Sequence, residues 1–189
     1  MRTDYDNWSK FQIFKLDLLM QDAPFDWYLA GGYALDEFVK YKIREHEDID
    51  ILVDIKDIQK IIEFFNEYQI YVARSGQLKT IYCNDMSTSD SLWVAKDRKS
   101  PFSLEILFFE LSDDKWIYRR NKNVCRSIES IYFVSNNIKI IQPEIQLLYK
   151  LGSSNLRQKD IQDYEAVYPK LSEEQRIWLD EKLDLKCKV

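Results

Sequence analysis

The run Asp48-Ile49-Asp50-Ile51-Leu52-Val53 places two carboxylates two residues apart at the head of what reads as a buried strand. Side chains two apart in a strand share a face, so Asp48 and Asp50 project together while Ile49, Ile51 and Val53 turn to the core. Carboxylates that close repel each other. The repulsion is relieved by protonating one, by flanking them with cations, or by a shared hard divalent ion such as Mg²⁺, which takes one or two carboxylates and completes its shell with water and substrate phosphate. Taken alone, the same pair also fits a strand end with two solvated aspartates.

Upstream, Trp27 to Ala30 reads as a short apolar strand, Gly31-Gly32 breaks it, and Tyr33 to Val39 continues with helical character. A strand, a glycine pair and a helix start leave no Cβ in the way, so backbone N–H groups and the helix N-terminus can approach phosphate oxygens. The plainer reading is a tight turn needing positive φ. A metal site that does chemistry calls for a third acid, and the stretch Ser103 to Glu110 supplies it. Leu104, Ile106 and Phe108 share one face and Glu105 lies on the other, an acid among apolar neighbours that needs a partner or a metal. An edge-strand glutamate facing water is the alternative, and Glu110 is a second candidate at the strand's end.

Composition limits the partners. A length of 189 residues suits one domain with room for a core, and aromatic and apolar residues are too plentiful for disorder. A formal net charge of -5 and a pI near 5.1 argue against broad nucleic-acid binding through a basic face. The first ten residues have no signal-peptide character, and no apolar run approaches the roughly 20 residues that span a bilayer. A cytoplasmic protein with no membrane partner is expected, its Cys83, Cys125 and Cys187 reduced and free of zinc.

Apolar spacing predicts helices over Trp8–Met20 (Trp8, Phe11, Phe14, Leu18, Leu19) and Asp57–Tyr68. Strands are expected at Asp48–Val53, Ile70–Arg74, Leu78–Cys83, Ser91–Ala95 and Phe102–Phe109. Beyond about residue 140 the texture turns helical. Pro143 suits a first turn, and helices are expected at Asp160–Val167 and Glu173–Leu183, the last with Ser172 and Gln175 in capping-box spacing. The expected organisation is a mixed α/β core over residues 1–140 with a helical subdomain over 141–189, packed as one unit.

The segments "LAGGYALDEF" and "REHEDIDILV" resemble the glycine pair and the R-x-H-x-D-I-D signature of antibiotic nucleotidyltransferases. They are most similar to the lincosamide and aminoglycoside adenylyltransferase group of the DNA-polymerase-beta-like superfamily. "PEIQLLYKL" and "RQKDIQDY" resemble the tail of related proteins. The resemblance implies a mixed sheet with flanking helices that binds a nucleoside triphosphate, ATP by preference, with two Mg²⁺ ions. Asp48 and Asp50 match the metal-ligand pair, and Glu105 matches the third acid, a metal ligand or the base for the acceptor hydroxyl. One ion would act at the α-phosphate and the other on pyrophosphate. The implied reaction is transfer of a nucleoside monophosphate to a small-molecule hydroxyl. Related branches often have Gly-Ser where this chain has Gly31-Gly32-Tyr33, so backbone donors must hold the phosphates here.

Further candidates surround that nucleus. Gly31, Gly32, Tyr33, Arg44, Lys150 and Lys159 are the expected nucleotide contacts; Arg44 could instead pair with Glu37 or Glu47, and the two lysines could be solvated. His46, the one histidine, could orient the loop or touch an acid. Trp93 and Trp116 could form a platform for a base or a drug, or belong to the core. A polycationic aminoglycoside calls for an acidic pocket and a lincosamide for apolar lining; the sequence is compatible with both. Two other readings stand beside these: a toxin-antitoxin-type nucleotidyltransferase acting on a protein or tRNA, with Arg119-Arg120-Asn121-Lys122 as a local basic patch, and a non-catalytic member of the fold.

Overall fold

Short apolar segments separated by tight turns build a mixed sheet, and the computed structural model describes it over residues 2–9, 13–80 and 86–184. The strands are β1 (Trp27–Ala30), β2 (Asp50–Asp54), β3 (Gln69–Arg74), β4 (Gln77–Thr80) and β5 (Ser91–Ala95). They continue with β6 (Phe102–Ser112), β7 (Lys115–Ile117), β8 (Cys125–Ser127), β9 (Tyr132–Ser135) and β10 (Ile138–Ile141). Their order is β4-β3-β5-β6-β2-β1-β10-β9, with β7 on the outer part of β6 and β8 on β7. β2 runs parallel to β6, and β1 parallel to β10. The expected α/β fold is what the chain adopts.

The helices are α1 (Ile13–Met20), α2 (Gly31–Val39), α3 (Ile58–Phe64), α4 (Pro143–Leu151), α5 (Gln158–Val167) and α6 (Glu173–Asp184). They cover both faces of the sheet. On one face Leu16 and Met20 of α1 and Ile61 of α3 pack with Ile49, Ile51, Val53, Ile106 and Phe108. On the other, Leu35 of α2 and Leu148, Val167 and Leu179 of the tail helices pack with Tyr28, Leu52 and Phe109. The tail therefore shares a core with the sheet. Alternation in β2 sends Ile51 and Val53 to the first core and Leu52 to the second, so the face that carries Asp50 is itself largely covered.

Several boundaries differ from expectation. Trp8 is not helical: it bridges Phe102 in parallel and packs on Trp93 at 4.7 Å. Phe11 and the side chain of Phe14 lie outside the described residues, as do Cys83 and Cys187; Cys125 is a free, exposed thiol. The helix expected over Asp57–Tyr68 opens as a 3-10 turn, Ile55–Asp57, where the Asp54 carboxylate accepts from the Lys56 N–H at 3.1 Å, and α3 ends at Phe64. β4 stops at Thr80. The segment from Glu110 to Gln142, for which no element was expected, holds four strands of three or four residues. These strands are too short to show a period, but two of their turns are marked by positive φ at Asp113-Asp114 and Asn136-Asn137, the conformation such residues tolerate between hairpin strands. The Ser172–Gln175 box forms as expected, each side chain accepting from the other's backbone N–H at 2.9 and 3.2 Å. Among the described residues no helix is long and apolar enough to cross a membrane.

Leu179→Ala tests the shared core. Leu179 is fully buried, and truncation of such a side chain costs about 2–5 kcal/mol. A single cooperative unfolding transition should move to lower temperature; a separate early transition for the tail would show that 141–189 folds apart from the sheet.

Candidate active site

Strand register lays the chemistry in one row. Ala30 of β1 stands opposite Asp50 of β2, Asp50 opposite Glu105 of β6, and Glu105 opposite Trp93 of β5. Residues in register share a face, so the glycine pair that follows Ala30, the aspartates and Glu105 meet at one edge of one cavity. Carboxylate oxygens of Asp48, Asp50 and Glu105 lie within 4.8 Å of one another. Unit charges at that spacing repel by roughly 3 kcal/mol at an effective dielectric near 20. Burial, then the charges of Asp48 and Glu105, push the Asp50 carboxyl well above the usual range. Burial also raises Glu105, against the Ser91 and Trp93 hydrogen bonds that favour its ionised form.

Those two bonds orient the third acid. Glu105 Oε1 accepts from Ser91 Oγ at 2.6 Å and from Trp93 Nε1 at 3.0 Å, which fixes the carboxylate within reach of the aspartates. Trp93 is thus a hydrogen-bond donor to an acid, with its ring packed on Trp8 and Phe102. Trp116 is fully buried core, donating to the Tyr149 hydroxyl at 3.2 Å. Glu110 faces away from the row and pairs with Lys122 at 3.3 Å.

The glycines are a matter of space. Gly31 has φ +66, and a Cβ there would stand 1.8 Å from Asp50 Oδ2. A Cβ on Gly32 would stand 2.3 Å from the His46 ring. Helix α2 begins at Gly31 itself, with no intervening turn. The Gly31 N–H donates to Gln146 Oε1 of α4 at 2.9 Å, so one of the expected backbone donors is already engaged. Tyr33 does not line the cavity; its ring packs on His46 at 4.5 Å. His46 is buried and bonded through Nε2 to Asp36 Oδ2 at 2.6 Å, which places it beneath the helix start and away from the acids. Burial lowers its pKa, against Asp36.

Cations line the cavity, which has a volume of about 400 Å³. Arg44, Lys150 and Lys159 are all on its wall, joined by Arg119, Arg120 and Arg157. Arg44 pairs with neither Glu37 nor Glu47. Its guanidinium grips Asp163 of α5 with two bonds, 2.9 and 3.0 Å. Asp163 has no exposed side-chain surface and also holds Lys150 Nζ at 2.8 Å, while Asp160 takes Arg157 at 2.9 and 3.0 Å. The basic run at 119–122 is split: Arg119 and Arg120 turn to the cavity, and Lys122 leaves it for Glu110. Sequence reading missed Asp160 and Asp163. Their signal was helical phase, since 160, 163 and 167 fall on one face of α5 and Val167 is core.

This row of acids beside a glycine helix start, on a mixed sheet closed by tail helices, defines a nucleotidyltransferase type of fold. Residues 12–86 match the family model described as aminoglycoside-2''-adenylyltransferase, a span that includes the glycines and both aspartates. Among solved structures, the lincosamide antibiotic adenylyltransferase LnuA, lincomycin-bound, is 23% identical over 86% of this chain and 98% of its own, with a TM-score of 0.56. The antibiotic-resistance factor ANT(2'')-Ia in solution is 12% identical over 93% of this chain and 91% of its own, TM-score 0.62. The same protein in complex with adenylyl-2''-tobramycin gives 13%, 92%, 95% and 0.60. No curated protein matches by sequence. The resemblance to antibiotic nucleotidyltransferases is borne out, by the family model at the glycine and aspartate segments and by the fold over most of the chain.

Two variants test the local arguments. Gly31→Ala meets both the left-handed φ and the Asp50 carboxylate, and should cost at least about 1–3 kcal/mol, read as a lowered midpoint in urea; an unchanged midpoint would mean that the approach of α2 to β2 is loose. Asp163→Asn leaves Arg44 and Lys150 partly unpaired in the interior, a loss of about 3–5 kcal/mol. Burial alone would raise the Asp163 carboxyl, but Arg44 and Lys150 outweigh it and hold it below its ordinary 3.8. A depressed carboxylate contributes stability that is present above the unfolded value and lost as pH falls through the folded one. Wild-type stability should therefore fall steeply below about pH 4, and the Asp163→Asn profile should be flatter there; parallel profiles would remove Asp163 from the acid response.

Proposed function

We propose that this protein is a nucleotidyltransferase that moves a nucleoside monophosphate from a nucleoside triphosphate to a hydroxyl of a small molecule, with release of pyrophosphate. The observation that carries the reading is the register-locked pair Asp50 and Glu105, joined by Asp48 two residues before β2, next to a glycine-started helix in a cavity walled by cations. The donor set fits a hard divalent ion: all oxygen, three carboxylates, and too crowded to be fully ionised without a cation. Asp48 and Asp50, with Glu105, would hold two Mg²⁺ ions, which when bound polarise the transferred phosphoryl group and offset the charge of the leaving pyrophosphate.

The chain's own residues do the rest. Gly32 and the first turn of α2 bring backbone N–H groups and the positive helix end toward the phosphates. Lys150 and Lys159, with Arg157, place positive charge beside Asp50 and Asp48, where a triphosphate would lie. Arg44, held by Asp163, stiffens the wall above Gly32. Glu105 Oε2, its partner oxygen fixed by Ser91 and Trp93, is the atom to accept the acceptor's proton or join the ions. The substrate class follows the relatives, an antibiotic or another small hydroxylated compound, and ATP is the nucleotide tried first.

A thermal-shift titration with the four nucleoside triphosphates, with and without Mg²⁺, tests the binding half of this reading. At least one should raise the melting temperature only when Mg²⁺ is present, and Asp50→Asn should abolish the rise. Glu105→Gln should keep nucleotide binding while cutting pyrophosphate release by roughly 100-fold or more. A wild type that ignores every nucleotide at millimolar concentration would sink the proposal.

A further inference from the structure

We propose that the acceptor carries an anionic group, a phosphate monoester or a carboxylate, and that Arg119 is the specificity-determining residue that reads it. The inference rests on the nucleotidyltransferase reading and narrows its substrate class.

Across the sheet the row runs from the Gly31 helix start over β1, through Asp50 on β2 and Glu105 on β6, to Trp93 on β5. At about 4.8 Å per strand, the two ends are roughly 14 Å apart. Phosphates belong at the glycine end, where α2 begins. The acceptor hydroxyl must then come from the far side of Glu105, over β5 and β6. The cations divide in the same way. Lys150 and Arg157 sit with Asp160 and Asp163 of α5, and Asp163 also holds Arg44 beside Gly32, at the phosphate end. Arg119 follows β7, the strand on the outer part of β6, and its Nη1 donates to the Thr88 carbonyl at 2.9 Å, just before β5 begins. It stands on the acceptor side.

Neutralisation divides the cations once more. Arg44, Lys150 and Arg157 are each paired with Asp160 or Asp163. Among the described residues neither Arg119 nor Arg120 pairs with a carboxylate. Both lie near the Tyr149 ring, 5.8 and 6.0 Å from its centre, and Arg120 donates to the Tyr149 carbonyl at 2.5 Å. Two guanidinium groups near one ring, one of them half-buried and neither with a carboxylate, suit a phosphate or carboxylate, which would also relieve their mutual repulsion. A polycation would find the opposite. Among the described residues, the carboxylates on the cavity wall are Asp48, Asp50 and Glu105, all assigned to the ions, against three cationic side chains that pair with no carboxylate, Arg119, Arg120 and Lys159.

The test is binding to the intact protein loaded with Mg²⁺ and α,β-methylene-ATP, followed by calorimetry with glucose 6-phosphate, glucuronate and tobramycin. At least one of the two anionic sugars should bind, the stronger one telling phosphate from carboxylate, and tobramycin should not. Arg119→Ala should weaken the anionic sugar about tenfold or more, Arg119→Lys should restore part of the loss, and both variants should keep the wild-type thermal response to the nucleotide. Tobramycin binding more tightly than both anionic sugars, or neither sugar binding, overturns the inference. So does loss of the nucleotide response in Arg119→Ala, which would assign the residue to the triphosphate. A wild type with no nucleotide response at all is failure of the nucleotidyltransferase reading itself, and it is seen in the loading step.

Discussion

One buried carboxylate ties the tail helices to the loop that leads into β2. Asp163 has no solvent contact, and it holds Arg44 from the loop before β2 and Lys150 from α4 at 2.8–3.0 Å. A buried anion with one partner is marginal, because removing the charge from water offsets much of the attraction. One carboxylate shared by a bidentate guanidinium and an ammonium group is better satisfied. The consequence is geometric: Arg44 cannot take its cavity position unless α5 is docked, and α5 docks with Val167 in the second core. The site is complete only when the tail is in place, even though the tail contributes none of the three acids.

The sheet works by a comparable constraint. Parallel pairing of β2 with β6 puts Asp50 opposite Glu105, and a slip of one residue would turn one of them to the opposite, apolar core. Leu52 and Ile51 prevent that slip, because each is buried in a different core. Crowding of the acids is thus imposed by hydrophobic packing on both sides of the sheet. Local repulsion is the cost of that register, and the relief available to it is a cation. The same packing explains the glycine pair, since any Cβ at Gly31 would enter the Asp50 carboxylate.

How much of this was legible in the sequence depended on the length scale of each signal. Period-two alternation in Asp48–Val53 and Ser103–Glu110 exposed all three acids, and Pro143 and the Ser172 capping box marked the tail helices within a residue or so. Strands β7 to β10 carried too few residues for any period, so the elements that bring Arg119 and Arg120 to the cavity were invisible, and the four-residue basic run looked like one patch. Trp93 was ambiguous for another reason. Its ring packs as core while its N–H serves Glu105, and sequence pattern registers only the ring. Tyr33 was misplaced toward the phosphates because the helix starts two residues earlier than the glycine pair suggested, which rotates Tyr33 onto His46.

Charge then separates the parts of the cavity that share a fold with known antibiotic adenylyltransferases from the parts that decide what this chain accepts. In the proposed reading, fold and carboxylates set the reaction class, and Asp50 and Glu105 owe their meeting to the sheet's register. Specificity comes from the cavity wall, where short loops and tail helices contribute side chains with no periodic constraint. In this chain that wall is cationic, and its cations are of two kinds: Arg44, Lys150 and Arg157, neutralised by Asp160 and Asp163, and Arg119, Arg120 and Lys159, which have no carboxylate of their own among the described residues. A cation whose charge is already matched gains little from a second anion. One that is unmatched and half-buried gains most, and of the two such cations Lys159 is assigned to the triphosphate, so in the proposed reading the strongest discrimination between acceptors falls on Arg119.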